Sequence, residues 1–216
     1  MWLSGETRVE LDKYSASRPY LYHLTHRDNV SHIRELGQLL PAAILLEESG
    51  NNDLMRTPRR GPKPITFRGR DIKLRDQDKL HRGPTGLHRG FSFADLVATI
   101  NRRVFFWAGT AVSPVPSGIR HFERYESERP LILRVSFKSL LALNPSANPL
   151  FCPYNSGSPR CSNGRKSPRG PDTFLSARAF IGTPGRVVEV TFNTEISLPR
   201  DTECGPRPQG PWKRFF

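Results

Sequence analysis

The chain has little that would tie it to a membrane, a disulfide framework or a standard nucleotide fold. None of its apolar runs approaches the roughly 20 residues needed to span a bilayer. Residues 1–6 show no basic segment followed by an apolar stretch, so a secretory leader is not expected. There are only three cysteines, Cys152, Cys161 and Cys204. An odd number leaves one unpaired and fits a reducing, cytoplasmic setting better than a disulfide scaffold. Cys152 and Cys161 lack CxxC spacing and a neighbouring histidine pair, and His26, His32, His81, His88 and His121 show no ligand spacing, so no metal is expected. Neither GxGxxG nor GxxxxGK[ST] occurs, which excludes the usual phosphate-cradling glycine loops. Acidic residues are also few: 20 Asp and Glu face 33 Lys and Arg, for a net charge of +13. That excess concentrates polyanions at the surface and points to nucleic acid. An arginine-rich composition produces the same charge without such a partner.

What is present begins with two polar groups inside β-forming apolar runs. His23 sits among Leu21, Tyr22 and Leu24, and Glu189 among Val187, Val188, Val190 and Phe192. Alternate strand residues point to opposite faces, so each polar side chain emerges beside apolar neighbours. A carboxylate in that position is costly unless it is paired, open to a cleft or used. If the two strands are neighbours, one cleft can hold both. The bland alternatives are a satisfied core histidine and an outward-facing edge glutamate; Glu195 is the competing late carboxylate.

The length suits a single domain with a sizeable core. Residues 20–25 read as a strand. A helix follows, capped by Asp28 or Asn29, carrying Val30, Ile33 and Leu36 on one face and stopped by Gly37. Residues 39–48 read as helical after Pro41, 51–69 as a surface loop, and 72–74 as a short strand. Residues 91–101 form a helix with Ser92 as cap, followed by the aromatic strand Val104-Phe105-Phe106-Trp107. A charged helix over 121–128, a strand over 131–137, a helix over 138–143, a long loop over 148–171 and a strand over 186–193 complete a 20–198 core. The tail, 199–216, reads as loosely held. The order lacks βαβα alternation and predicts an α+β fold.

These pieces, in this order, resemble the ADP-ribosyltransferase superfamily in its histidine–aromatic–glutamate branch, and most of all the DarT-type nucleic-acid ADP-ribosyltransferases. Tyr22-His23-Leu24-Thr25-His26, the Asn29 to Gly37 helix, Val104-Phe105-Phe106-Trp107 and Val188-Glu189-Val190 carry the resemblance, with Arg75-Asp76-Gln77, Asn155-Ser156-Gly157 and Asp172-Thr173-Phe174 between them. It implies a split β-sheet whose central cleft binds NAD+ as co-substrate, with flanking helices. His23 would bond the adenosine ribose with the Thr25 hydroxyl nearby, Phe106 or Trp107 would pack on nicotinamide, and Glu189 would be catalytic. The family's aromatic is often a tyrosine, where this strand offers Phe and Trp. Arg75 suits a pyrophosphate clamp. Asn155 and Ser156 suit a hydrogen-bonding edge to the cofactor. Thr173 would reach the acceptor side, with Arg160 and Arg165. Basic stretches at 56–70 and 160–169 would steer a nucleic-acid backbone. A toxin or phage-defence role with a neutralising antitoxin partner follows from the same resemblance. The alternatives are protein ADP-ribosylation, NAD+ hydrolysis, a non-catalytic nucleic-acid-binding module, and an RNA 2′-phosphotransferase, to which Arg75 and Arg102 would supply part of a phosphate-binding set.

Overall fold

The computed structural model describes residues 10–81, 86–158 and 168–216. In chain order the elements are α1 (Leu11–Ser17), β1 (Tyr20–Thr25), α2 (Val30–Leu36), β2 (Gln38–Leu39), α3 (Ala42–Glu48), β3 (Lys63–Phe67), β4 (Arg70–Leu74), α4 (Phe93–Asn101), β5 (Val104–Gly109), α5 (Pro116–Arg124), β6 (Leu131–Ser136), α6 (Phe137–Leu143), β7 (Leu150–Cys152), β8 (Leu175–Ser176), β9 (Glu189–Phe192), β10 (Ile196–Ser197), β11 (Glu203–Gly205) and β12 (Lys213–Arg214). The fold is α+β. Among the described residues no helix is long and apolar enough to cross a membrane.

Local chemistry explains the helices that the sequence predicts. Ser92 and Asp95 form a reciprocal capping box at the start of α4: the Ser92 hydroxyl accepts from the Asp95 N–H at 3.1 Å, and the Asp95 carboxylate accepts from the Ser92 N–H at 2.9 Å. Gly37 ends α2 at φ 65°, a left-handed conformation that costs a side-chain-bearing residue more. Pro116 opens α5 at a position where no N–H is needed, so the charged helix begins well before residue 121.

The main sheet has eight strands in the order β12-β11-β6-β1-β5-β9-β7-β8, all paired antiparallel. β1 follows β6 along its whole length, from Tyr20↔Ser136 to Thr25↔Leu131. It follows β5 only as far as Tyr22↔Trp107. β5 meanwhile stays with β9, from Val104↔Phe192 to Trp107↔Glu189. The sheet therefore opens between β1 and β5 just beyond Tyr22. A second layer, the β3–β4 hairpin with α2 and α3, packs its own core of Leu45, Leu46, Ile65, Phe67, Ile72 and Leu74. Asn29 ties it to the end of β1: its side-chain amide accepts from the Lys73 N–H at 2.8 Å and donates to the Lys73 carbonyl at 3.0 Å, as a strand would.

Three expectations need correction. Residues 148–171 are not all loop, because β7 (Leu150–Cys152) pairs with β8 and β9 in the main sheet. Residues 51–69 contain a strand as well as a loop. In β3, Ile65 and Phe67 point inward between exposed Lys63, Pro64 and Thr66, an alternation obscured by the surrounding Pro, Gly and Arg. Arg68 and Gly69, both at positive φ, make the two-residue turn into β4. The tail is not loose. β11 pairs with β6 and β12 with β11, Cys204 and Phe215 are buried, and Arg34 Nε donates to the Phe215 carbonyl at 2.7 Å. Arg134 binds Glu203 at 2.7 Å and lies over the Tyr20 and Trp212 rings, 4.8 and 4.6 Å from their centroids. Emptying such a site forfeits both transfer and packing energy. Phe215→Ala is expected to cost about 3–5 kcal/mol in urea unfolding. A loss below about 1 kcal/mol would mean that the tail does not pack as described.

Candidate active site

The opening between β1 and β5 leads into a cleft of about 310 Å³. His23 occupies the place where the strand ladder stops. Its Nδ1 lies 2.8 Å from the Phe105 carbonyl, so the ring takes the position of a missing backbone bond. A carbonyl only accepts, which assigns the proton to Nδ1 and leaves Nε2 as an acceptor. Burial pushes the His23 pKa down to about 4; the Phe105 bond opposes the shift and the Arg75 charge adds to it. The imidazole is neutral at neutral pH.

Glu189 opens β9 directly opposite Trp107 on β5, and 4% of its surface is exposed. The Ser156 N–H lies 3.2 Å from each carboxylate oxygen. Burial raises its pKa to about 7, against the pull of the Ser156 hydroxyl, then the Ser156 N–H, then the Arg169 charge. Phe106 is core, with its ring 5.6 Å from His23 and 5.9 Å from Phe192. Trp107 faces His121 at 5.3 Å. α5 can approach it because residue 118 is glycine: a Cβ there would stand 2.9 Å from the Trp107 side chain.

Arg75 follows β4 at the cleft wall. Its Nη1 meets Glu128 at 3.1 Å and its guanidinium lies 4.2 Å over the Tyr125 ring. Its Nε and Nη2 are buried with no hydrogen-bond partner, an arrangement that is costly until an acceptor arrives. The lining carries six cations, Arg59, Lys73, Arg75, Lys79, Arg103 and Arg124, against the carboxylates of Asp76 and Glu189. His121 is held neutral, its pKa pushed to about 3 by burial and by the Arg75, Lys79 and Arg124 charges. The electrostatics favour an anion.

Eight of the residues singled out in the sequence line this one cleft: His23, Thr25, Arg75, Phe106, Trp107, Asn155, Ser156 and Glu189. The strands of His23 and Glu189 are not neighbours, since β5 lies between them. Thr173 does not line the cleft; it is buried, and its hydroxyl accepts the Gly170 N–H at 2.8 Å, stabilising a turn. Arg160 and Arg165 lie outside the described residues. Of the six cations in the basic stretch 56–70, three are paired: Arg56 with Asp95 at 2.6 Å, Arg68 with Glu48 at 2.8 Å, and Arg70 with Glu35. Arg59 is buried there, donating to Asn101 at 2.9 Å. Sequence reasoning missed His121 of α5, Tyr125 just after it and Arg103 just before β5 as lining residues, because these segments reach the cleft only through tertiary packing. Arg169, expected at the end of a basic stretch that steers a nucleic-acid backbone, is instead buried, its guanidinium turned inward onto the carbonyls of residues 155–158.

A family model matches residues 19–201, which takes in every cleft-lining residue. The chain belongs to this family, a family of unknown function (DUF7002). Comparison with curated proteins and with solved structures gave no match.

The Glu189 environment has a thermodynamic signature. Its folded pKa stands above the unfolded value, so its contribution to stability is fully present below about pH 4.5 and is lost as pH rises through about 7. Glu189→Gln is expected to raise stability above pH 8 by up to about 3 kcal/mol, with the difference vanishing below about pH 4.5. Urea unfolding across pH checks this, and equal stability of the two proteins at pH 8 would place the carboxylate in water.

Proposed function

We propose that the chain is an NAD+-dependent ADP-ribosyltransferase. The observation that carries this reading is the sheet opening between β1 and β5. It gathers the neutral His23, the Phe106–Trp107 pair and the buried Glu189 carboxylate around one cationic cleft. The residues present suit a dinucleotide. Arg75 offers two unused donors to a diphosphate, the cationic lining balances its charge, and the free His23 Nε2 accepts from a ribose hydroxyl.

The chemistry follows from the carboxylate. When the bond between ribose C1′ and the nicotinamide nitrogen breaks, the electron pair leaves with nicotinamide and positive charge develops on the ribose. A fixed carboxylate in a water-poor site stabilises that charge. The acceptor's nucleophile then bonds to C1′, and its proton passes to Glu189 or to solvent. Nucleic acid is the favoured acceptor because the chain carries +13 and cations dominate the cleft lining. An enzyme that consumes NAD+ and marks nucleic acid harms the cell that makes it, so a toxin or defence role with a neutralising protein belongs to the same reading.

Incubation with labelled NAD+, with and without single-stranded DNA or RNA, tests this directly. The protein is expected to release nicotinamide and leave label on nucleic acid, and Glu189→Ala to lower release by about 10²–10⁴-fold. Release without labelled nucleic acid would move the acceptor to protein or water. No NAD+ binding and no release would leave a binding module instead. Release should also rise with pH through about 7, as Glu189 ionises.

A further inference from the structure

Arg169 is 2% exposed, although arginine is seldom buried without a structural or chemical demand. Its Nε donates to the Ser156 carbonyl at 3.2 Å and its Nη2 to the Asn155 carbonyl at 2.9 Å and the Ser158 carbonyl at 2.5 Å. The guanidinium lies 4.1 Å over the Tyr154 ring. Its own backbone is anchored elsewhere: its N–H donates to the Gly86 carbonyl at 2.7 Å, and its carbonyl accepts from the His88 N–H at 2.9 Å. One side chain thus gathers the carbonyls of the turn whose Ser156 N–H meets Glu189. Within the turn the Ser158 N–H bonds back to the Asn155 carbonyl at 3.2 Å, and the Ser156 N–H is the one that meets the carboxylate.

We propose that Arg169 is a positioning residue: by clasping the 155–158 turn it keeps the Ser156 N–H aimed at Glu189 and so supports the ionised carboxylate. This rests on the transferase reading for its consequence, but the clasp itself does not. The other titratable groups facing Glu189 are Cys152, its partner across β7 and β9, and Tyr154. Burial pushes both pKa values up, so they stay neutral through the working range. Arg169 is the charged member of the three.

Two measurements on Arg169→Met and Arg169→Lys test the clasp. The first is the titration of the Glu189 carboxyl by carbon NMR, with Glu189→Gln to assign the signal. The wild-type midpoint is expected near 7. Arg169→Met should raise it by about one unit. Arg169→Lys keeps a charge but cannot span three carbonyls, and should raise it by about half as much. The second is nicotinamide release. With the midpoint one unit higher, Arg169→Met should lose about five-fold at pH 7 and recover to within about two-fold at pH 9. A merely structural defect would lower both equally. Midpoints matching wild type in the folded variants would overturn the proposal. If Arg169→Met fails to fold, Arg169→Lys decides alone by the same criterion. If the wild type releases no nicotinamide, the transferase reading fails while the NMR midpoints still judge the clasp.

Discussion

One hydrogen bond marks the place on which the rest of the site depends, that between the His23 ring and the Phe105 carbonyl. A continuous antiparallel sheet would have used that carbonyl in the β1–β5 ladder. Once β1 parts from β5 after Tyr22, the carbonyl needs another donor or suffers the cost of burial unpaired. The imidazole supplies it. The same contact fixes which nitrogen carries the proton and turns an interrupted sheet into the wall of a cleft, while burial keeps the ring neutral.

The other parts of the cleft adapt to that opening. The β3–β4 hairpin and α3 form a second small core beside it, tied to the β1 end through Asn29. α5 approaches the aromatic strand closely because Gly118 has no Cβ. The carboxylate on the far side of β5 is buried but receives the Ser156 N–H, which limits the energetic penalty without removing it. A group kept in an environment that its charged form disfavours lowers stability. Such a cost is common where chemistry requires it.

Charge tells a more divided story. The chain is strongly basic, yet three arginines in the 56–70 stretch are paired with carboxylates and a fourth is buried. In the cleft lining Arg75 retains unpartnered donors beside five other cations. Surface pairs of this kind contribute little to stability. Their effect is to offset three of the cations of the 56–70 stretch.

The sequence by itself determined the local elements and the two outlying polar groups. Ser92 and Asp95 specify the start of α4, Gly37 the end of α2, and His23 and Glu189 are conspicuous because strand alternation sets each among apolar residues. It could not reveal β3, whose alternation is masked by loop-forming residues, nor the tail strands, which depend on β6 as a template. Only the tertiary structure decided that β5 lies between the two key strands, that Thr173 is spent on a turn, and that Arg169 reaches Asn155, Ser156 and Ser158. Periodicity and caps are written in neighbouring residues, whereas register, strand order and the targets of a buried guanidinium arise from pairings between distant segments.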